Sequence, residues 1–217
     1  MSFSFIDRRD AGVKLARALH AFADRSDVVV LALPRGGVPV AAEVARMLNA
    51  PLDVLIVRKL GVPDDPELAM GAIASGGVTF INEPVVPAYR VAPEQLSEII
   101  AQQRVELQRR EKLYRGSREP VPIEGKTAIL IDDGIATGSS IRVALSALRS
   151  RHPANVVIAV PVGPERFRDE IERAGTRFVC RIEATNMMGV GGFYRNFDQV
   201  SDEEVTHILA SLARADC

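Results

Sequence analysis

Five short apolar runs constrain this chain more tightly than any other feature: VVVLAL (28–33), LDVLIV (52–57), TAILI (127–131), NVVIAV (155–160) and RFVCRI (177–182). Each is β-branched and continuous, the pattern of a strand covered on both faces. Segments with helical spacing separate several of them, at 38–48, 139–150 and 164–174, and an amphipathic helix over 10–23 precedes the first run. This alternation predicts a doubly wound α/β fold around a parallel sheet of about five strands. The 217 residues, 47% of them hydrophobic and 25% charged, suffice for one domain with a full core over the whole chain, 1–217.

A formal net charge of −1 gives no overall attraction to nucleic acid or anionic membranes, so neither is expected as a partner. A polyanion has to find a local site, which favours a small phosphorylated ligand. The start, MSFSFIDRRDAG, has no basic segment leading into an apolar one, and no apolar run reaches the ~18 residues of a membrane span. A cytoplasmic protein is the expectation. Cys180 and Cys217 suit a reducing compartment without disulfides, and no Cys/His cluster suggests structural zinc.

The stretch 61–122 breaks the alternation. GAIA and VTFIN flank Ser75-Gly76-Gly77 and read as a hairpin, and 93–114 then reads as one long charged helix. Leu96, Ile100, Leu107 and Tyr114 share a narrow stripe on it, with Arg104, Arg109, Arg110, Lys112 and Arg115 around the rest. Glu106 and Glu111 dilute that charge, so a solvated helix packed along one stripe is favoured over a nucleic-acid surface. A lid or a subunit contact is the alternative, and a homodimer would suit such an element.

ILIDDGIATGSS (129–140) runs from buried-looking aliphatics into two adjacent carboxylates and then into small residues. Two carboxylates about 4 Å apart repel by about 1 kcal/mol in water and about 4 kcal/mol at an effective dielectric near 20, so compensation is required. In open α/β sheets ligands bind beyond the carboxyl ends of the strands, which is where Ile131 delivers Asp132 and Asp133. The residues that follow turn into a helix whose first amides are unpaired and whose dipole is positive, an anion site. Thr137, Gly138, Ser139 and Ser140 are small enough for a phosphate to reach the backbone. Vicinal hydroxyls, or a hydroxyl-bound metal, on the acids and a phosphate on the loop describe a ribose 5-phosphate. The bland alternative is a strand whose acids merely cap the next helix.

This stretch resembles the phosphoribosyl-diphosphate (PRPP) motif of type I phosphoribosyltransferases. With FIDRRDAG, ALPRGGVPVA, VRKLG and ELAMGAIA, the chain is similar nearly end to end to members of that family whose acceptor is not established. The resemblance implies that Asp132 and Asp133 hold the ribose hydroxyls, directly or through Mg²⁺ and water, and that Ala136, Thr137, Gly138, Ser139 and Ser140 hold the 5-phosphate. It places Arg35, Gly36 and Gly37 in the pyrophosphate loop, a turn that often contains a cis peptide, and adds Arg58, Lys59 and Arg195 as pyrophosphate contacts. Asp132, Asp133 and Arg35 are then the catalytic candidates. The stretch from Gly61 to 122 matches a lid that excludes water from an oxocarbenium-like reaction. The segment 184–217 matches a hood over the acceptor, with Phe193, Tyr194 and Phe197 as candidates to stack on a base.

The implied activity is transfer of the 5-phosphoribosyl group of PRPP to a purine-like or pyrimidine-like base, with pyrophosphate release and Mg²⁺ as cofactor, within nucleotide metabolism. The rival is a PRPP-binding regulator without turnover, which needs a basic surface such as Arg109 and Arg110. Enzymes of the family that act on 6-oxopurines carry acids where this chain has Ala136 and Gly189, which puts that substrate class in doubt. The general base stays open, with Glu67 and Asp64 as candidates. Gly125-Lys126-Thr127 precedes a strand instead of leaving one, so it is not a nucleotide phosphate-binding loop, and Gly189-Val190-Gly191-Gly192 lacks the third glycine of a dinucleotide fingerprint. His20, His152 and His207 form no triad with a nucleophile elbow.

Overall fold

The computed structural model describes residues 4–213, apart from the side chains of Pro66, Glu67 and Ala213. Cys217 and the Glu67 carboxyl therefore lie outside the described residues. Helix α1 (Arg8–Ala18) and a 3-10 turn (His20–Phe22) lead into β1 (Val28–Ala32), α2 (Gly37–Leu48) and β2 (Leu52–Val54). The insertion holds β3 (Val57–Val62), β4 (Asp65–Ala74), β5 (Val78–Ile81), the short α3 (Val85–Ala88) and α4 (Pro93–Arg115). There follow β6 (Thr127–Ile131), α5 (Ser139–Arg149), β7 (Asn155–Pro164), α6 (Arg166–Arg173), β8 (Arg177–Ala184), a 3-10 turn (Val190–Phe193) and α7 (Asp202–Ala213).

The central sheet has the order β2-β1-β6-β7-β8 with every pair parallel. Its strands are continuous apolar runs because both faces are covered. Val28, Val30, Ala32, Ile129 and Ile131 pack with Leu15, Val40, Val44 and Ile208 of α1, α2 and α7. Val29, Leu31, Ala128 and Leu130 pack with Ile141, Leu145, Phe167 and Ile171 of α5 and α6. Since β1 lies between β2 and β6, the chain order reverses there, and the β1–β6 boundary is the switch point at which such sheets open a crevice.

The run 52–57 does not form one strand. Strand β2 ends at Val54, and Ile56 is then captured by the buried Ser75, whose Oγ accepts from the Ile56 amide at 2.9 Å while its own amide donates to the Ile56 carbonyl at 2.8 Å. Val57 onward pairs antiparallel with β4, so the expected hairpin is β4–β5 with β3 added, a three-stranded sheet. Gly76 and Gly77 have φ of +87° and +78°, which the turn needs and glycine permits.

The stripe on α4 packs as expected, with Leu107 and Tyr114 buried and Leu96 and Ile100 packed against the same cluster. Arg115 departs from expectation. It is buried, its Nε donates to Asp53 of β2 at 2.8 Å and its Nη2 to the Val54 carbonyl at 2.6 Å. A long-range acid partner, invisible to helical spacing, turns it inward.

Candidate functional site

Strand β6 delivers Asp132 and Asp133 to the carboxyl edge at the switch point, and β1 delivers Pro34-Arg35-Gly36-Gly37 to the same edge. The Pro34–Arg35 peptide is cis. Turn and acids are in contact. A Cβ added to Gly36 would fall 2.0 Å from Asp133 Oδ2, and one added to Gly37 would fall 2.7 Å from the Ile131 carbonyl oxygen and 3.0 Å from Asp132 Cα. Only glycine allows this approach.

Burial pushes the Asp132 carboxyl well above the ordinary 3.8, with the Asp133 charge adding to the rise. Asp133 is also raised by burial, against which Arg8 works. Arg8 is therefore the compensating cation that the acid pair demands. Its Nε donates to Asp133 Oδ2 at 2.8 Å, its Nη1 donates to the Asp198 carbonyl at 2.7 Å, and its guanidinium carbon lies 3.9 Å from the Phe197 ring centroid.

The N-terminal segment reaches the site by pairing with the segment that follows β8. The Ser4 and Phe5 amides donate to the Phe193 carbonyl, and the Arg195 and Asn196 amides donate to the Phe5 and Ile6 carbonyls. Tyr194 is buried between Phe5 and Phe197, with centroids 5.3 and 4.9 Å away, and its hydroxyl donates to the Asp133 carbonyl at 2.6 Å. The expected stacking of Tyr194 on a base is thus corrected: the ring is taken up by packing and its hydroxyl by the acid loop. Phe193 is half-buried and Arg195 exposed.

The loop between the acids and α5 is built for close approach. Gly134 faces Val190 and Val162, which an added Cβ would meet at 2.6 and 2.8 Å, and Gly138, at φ +78°, would put one 2.2 Å from Phe167 Cε2. The Ala136, Thr137 and Gly138 amides donate to no acceptor among the described residues, and Thr137 Oγ1 and Ser139 Oγ are 2.8 Å apart. Ser139 and Ser140 open α5, so free amides, hydroxyls and a helix N-terminus converge where an anion can sit.

The remaining candidates stand apart. Arg35 points to α7, its Nη1 4.0 Å from Asp202 Oδ1, which also accepts the Tyr114 hydroxyl at 2.6 Å. Arg58 lies on β3 and donates to Gln103 of α4 at 2.9 Å, and Lys59 is exposed beside it. Arg195 lines a depression with Lys14. Among the described residues no hydrogen bond or ion pair joins Arg58, Lys59 or Arg195 to the acid pair. Asp64 is exposed in the β3–β4 turn. Arg8 is the site residue that sequence reasoning misses. The charge argument calls for compensation, yet nothing local selects one cation among 27 lysines and arginines.

An open parallel sheet whose switch point holds an acid pair, a glycine turn and a free-amide loop defines a doubly wound α/β protein with its candidate site at the carboxyl edge. The chain belongs to the phosphoribosyl transferase domain family, whose sequence profile matches residues 8–197. Two curated Mycobacterium tuberculosis proteins, from strains CDC 1551 and H37Rv and each named "Putative phosphoribosyl transferase", are 45% identical over 205 residues, covering 94% of this chain and 46% of the relative. The chain thus spans about half the length of the curated relatives it matches. The crystal structure of TT1426 from Thermus thermophilus superposes with a TM-score of 0.82 at 40% identity, covering 96% of this chain and 98% of that one. Among the described residues no helix is long and apolar enough to cross a membrane.

Proposed function

We propose that this chain is a Mg²⁺-dependent phosphoribosyltransferase that moves the 5-phosphoribosyl group of PRPP to a nitrogenous base or related nucleophile, releasing pyrophosphate. The observation that carries the reading is the contact of Gly36 and Gly37 with Asp133 and Asp132, beside the unpaired amides of 136–138. Acids and two anion cradles within one crevice match a ligand with a hydroxylated ring between two phosphate groups.

In this reading Ala136 to Ser140 hold the 5-phosphate, Asp132 and Asp133 orient the ribose, and the Arg35-Gly36-Gly37 turn holds pyrophosphate as charge develops on it. Arg58, Lys59 and Arg195 are the further pyrophosphate candidates, none of them bonded to the acid pair among the described residues. The segment around Phe193 closes the acceptor side, and the insertion over 61–122 limits the access of water. Arg8 holds Asp133 in place while its own charge moderates repulsion within the acid pair.

The acid pair fits a hard divalent cation. Asp132 Oδ1 accepts the Asp133 amide and Asp133 Oδ2 is taken by Arg8, which leaves Asp132 Oδ2 and Asp133 Oδ1 without partners among the described residues. One or two carboxylates completed by water and substrate oxygens is the usual Mg²⁺ set. Bound there, Mg²⁺ would supply positive charge against that of the leaving pyrophosphate.

The experiment is pyrophosphate release from PRPP over a panel of purine and pyrimidine bases, with native chain and with the Asp132→Asn/Asp133→Asn double variant. Release with one class of base, lost in the variant while its circular dichroism is unchanged, is expected. Full activity in the variant would refute the assignment. A regulatory reading finds less support, because Glu106 accepts from both Arg109 and Arg110, at 2.7 and 2.8 Å, and so offsets part of the charge of the pair that a nucleic-acid surface would need.

A further inference from the structure

At the opposite edge of the sheet, where β6, β7 and β8 begin, Phe22, Arg25, Thr127, Arg149, His152 and Arg177 line a groove of about 600 Å³. No carboxylate is among its lining residues. Three guanidiniums converge on it. Arg25 and Arg177 place theirs 5.6 and 5.2 Å from the centroid of the same Phe22 ring, and Arg149 is pinned alongside by the Ala174 carbonyl and, at 2.9 Å, the Thr176 hydroxyl.

Among the described residues Arg25 alone of the three has an acid partner, Asp27, gripped through two contacts of 3.0 and 2.6 Å. Arg149 and Arg177 make no ion pair among the described residues. In a chain of net charge −1 this is a local concentration of uncompensated positive charge, of the kind that focuses an anion into a cleft. Thr127, buried at the start of β6 and part of the groove lining, keeps its side chain beside Asp27, whose carboxylate Arg25 grips.

We propose that this groove is a second phosphate-anion site, one that takes a polyphosphate chain, free or carried by a nucleotide. Planar guanidiniums match phosphate oxygens in pairs, and the volume suits a ligand of nucleotide size. The site lies about 16 Å from the acid pair, one strand length along β6, so the two could be filled together.

Calorimetric titration of the full chain with inorganic tripolyphosphate, and separately with ATP, tests this. The same titrations are run on Arg177→Glu, Arg149→Ala and Asp132→Asn/Asp133→Asn, each checked by its melting curve. Arg177 is exposed and stands only over Phe22, so its reversal leaves the core untouched even if loss of Arg149 weakens the fold. The expected result is a saturable site that survives in the acid-pair variant and weakens roughly tenfold or more in Arg177→Glu, the loss of at least one charge-assisted contact. Equal affinity for the two probes would identify the polyphosphate as what is read, and tighter ATP binding would identify a nucleotide. Undiminished binding in Arg177→Glu, binding lost only in the acid-pair variant, or no saturation by either probe at millimolar concentration would overturn the proposal.

Discussion

Asp132 meets two unfavourable influences at once, burial and the adjacent Asp133 charge, and both raise its pKa above 3.8. The folded state then keeps a proton to higher pH than the unfolded chain, so between 3.8 and the raised value stability falls as pH rises, and the full cost is present above that window. Asp132→Asn removes the cost yet keeps an Oδ1 to accept the Asp133 amide, now 2.8 Å away. We expect the variant to melt a few degrees above native protein at pH 7 and to melt with it below about pH 3.8, where both acids are protonated. Scanning calorimetry across that range checks it, and a variant that melts lower at pH 7 contradicts it. Asp133→Asn should gain less, since it strands Arg8, whose side chain is 12% exposed. The acid pair was readable from ILIDDG because adjacency in sequence guarantees proximity. Arg8 was not, because 125 residues separate it from Asp133.

Between elements, the firmest electrostatic tie is Arg115 of α4 to Asp53 of β2, with side chains 7% and 9% exposed. Asp53 Oδ2 also accepts the Val121 amide at 3.1 Å, so this one carboxylate fixes both the end of α4 and the return to β6. Removing one partner of a buried pair leaves the other charge desolvated, at a cost of about 3–5 kcal/mol. Arg115→Ala should lower the free energy of urea unfolding by about that amount, and Arg115→Met combined with Asp53→Leu should lose less than either single change. A loss under ~1 kcal/mol, the range of an exposed pair, would show that water reaches the bridge. The apolar stripe of α4 was legible because helical spacing is a local property. The inward turn of Arg115 was not, and neither was the capture of Ile56 by Ser75, which cuts the run 52–57 in two.

At the scale of the molecule, the insertion is not a separate body. Leu60, Met70 and Ile73 from its sheet, Leu107 and Tyr114 from α4, Ile129 and Ile131 from β6 and Val205, Ile208 and Leu209 from α7 belong to one hydrophobic cluster. Shared core implies shared cooperativity, so a single unfolding transition is expected. The chain has no tryptophan, but Tyr114 reports on the α4–α7 contact and Tyr194 on the N-terminal cluster beside the acids. Tyrosine fluorescence and far-ultraviolet circular dichroism should give superimposable urea curves, whereas two separated transitions would mean that the insertion melts alone.

The sequence by itself determined the strand runs, the helices between them, the acid pair and the small-residue turns, because each is written in the periodicity or adjacency of neighbouring residues. It also implied that something must offset the repulsion of the two acids. Only the tertiary structure decided that Arg8 answers them, that Tyr194 packs instead of facing a ligand, and that Arg177 joins Arg25 over Phe22 with Arg149 lining the same groove. These pairings depend on which strand lies beside which, and charge and hydrogen-bonding groups act through space without leaving a period in the chain.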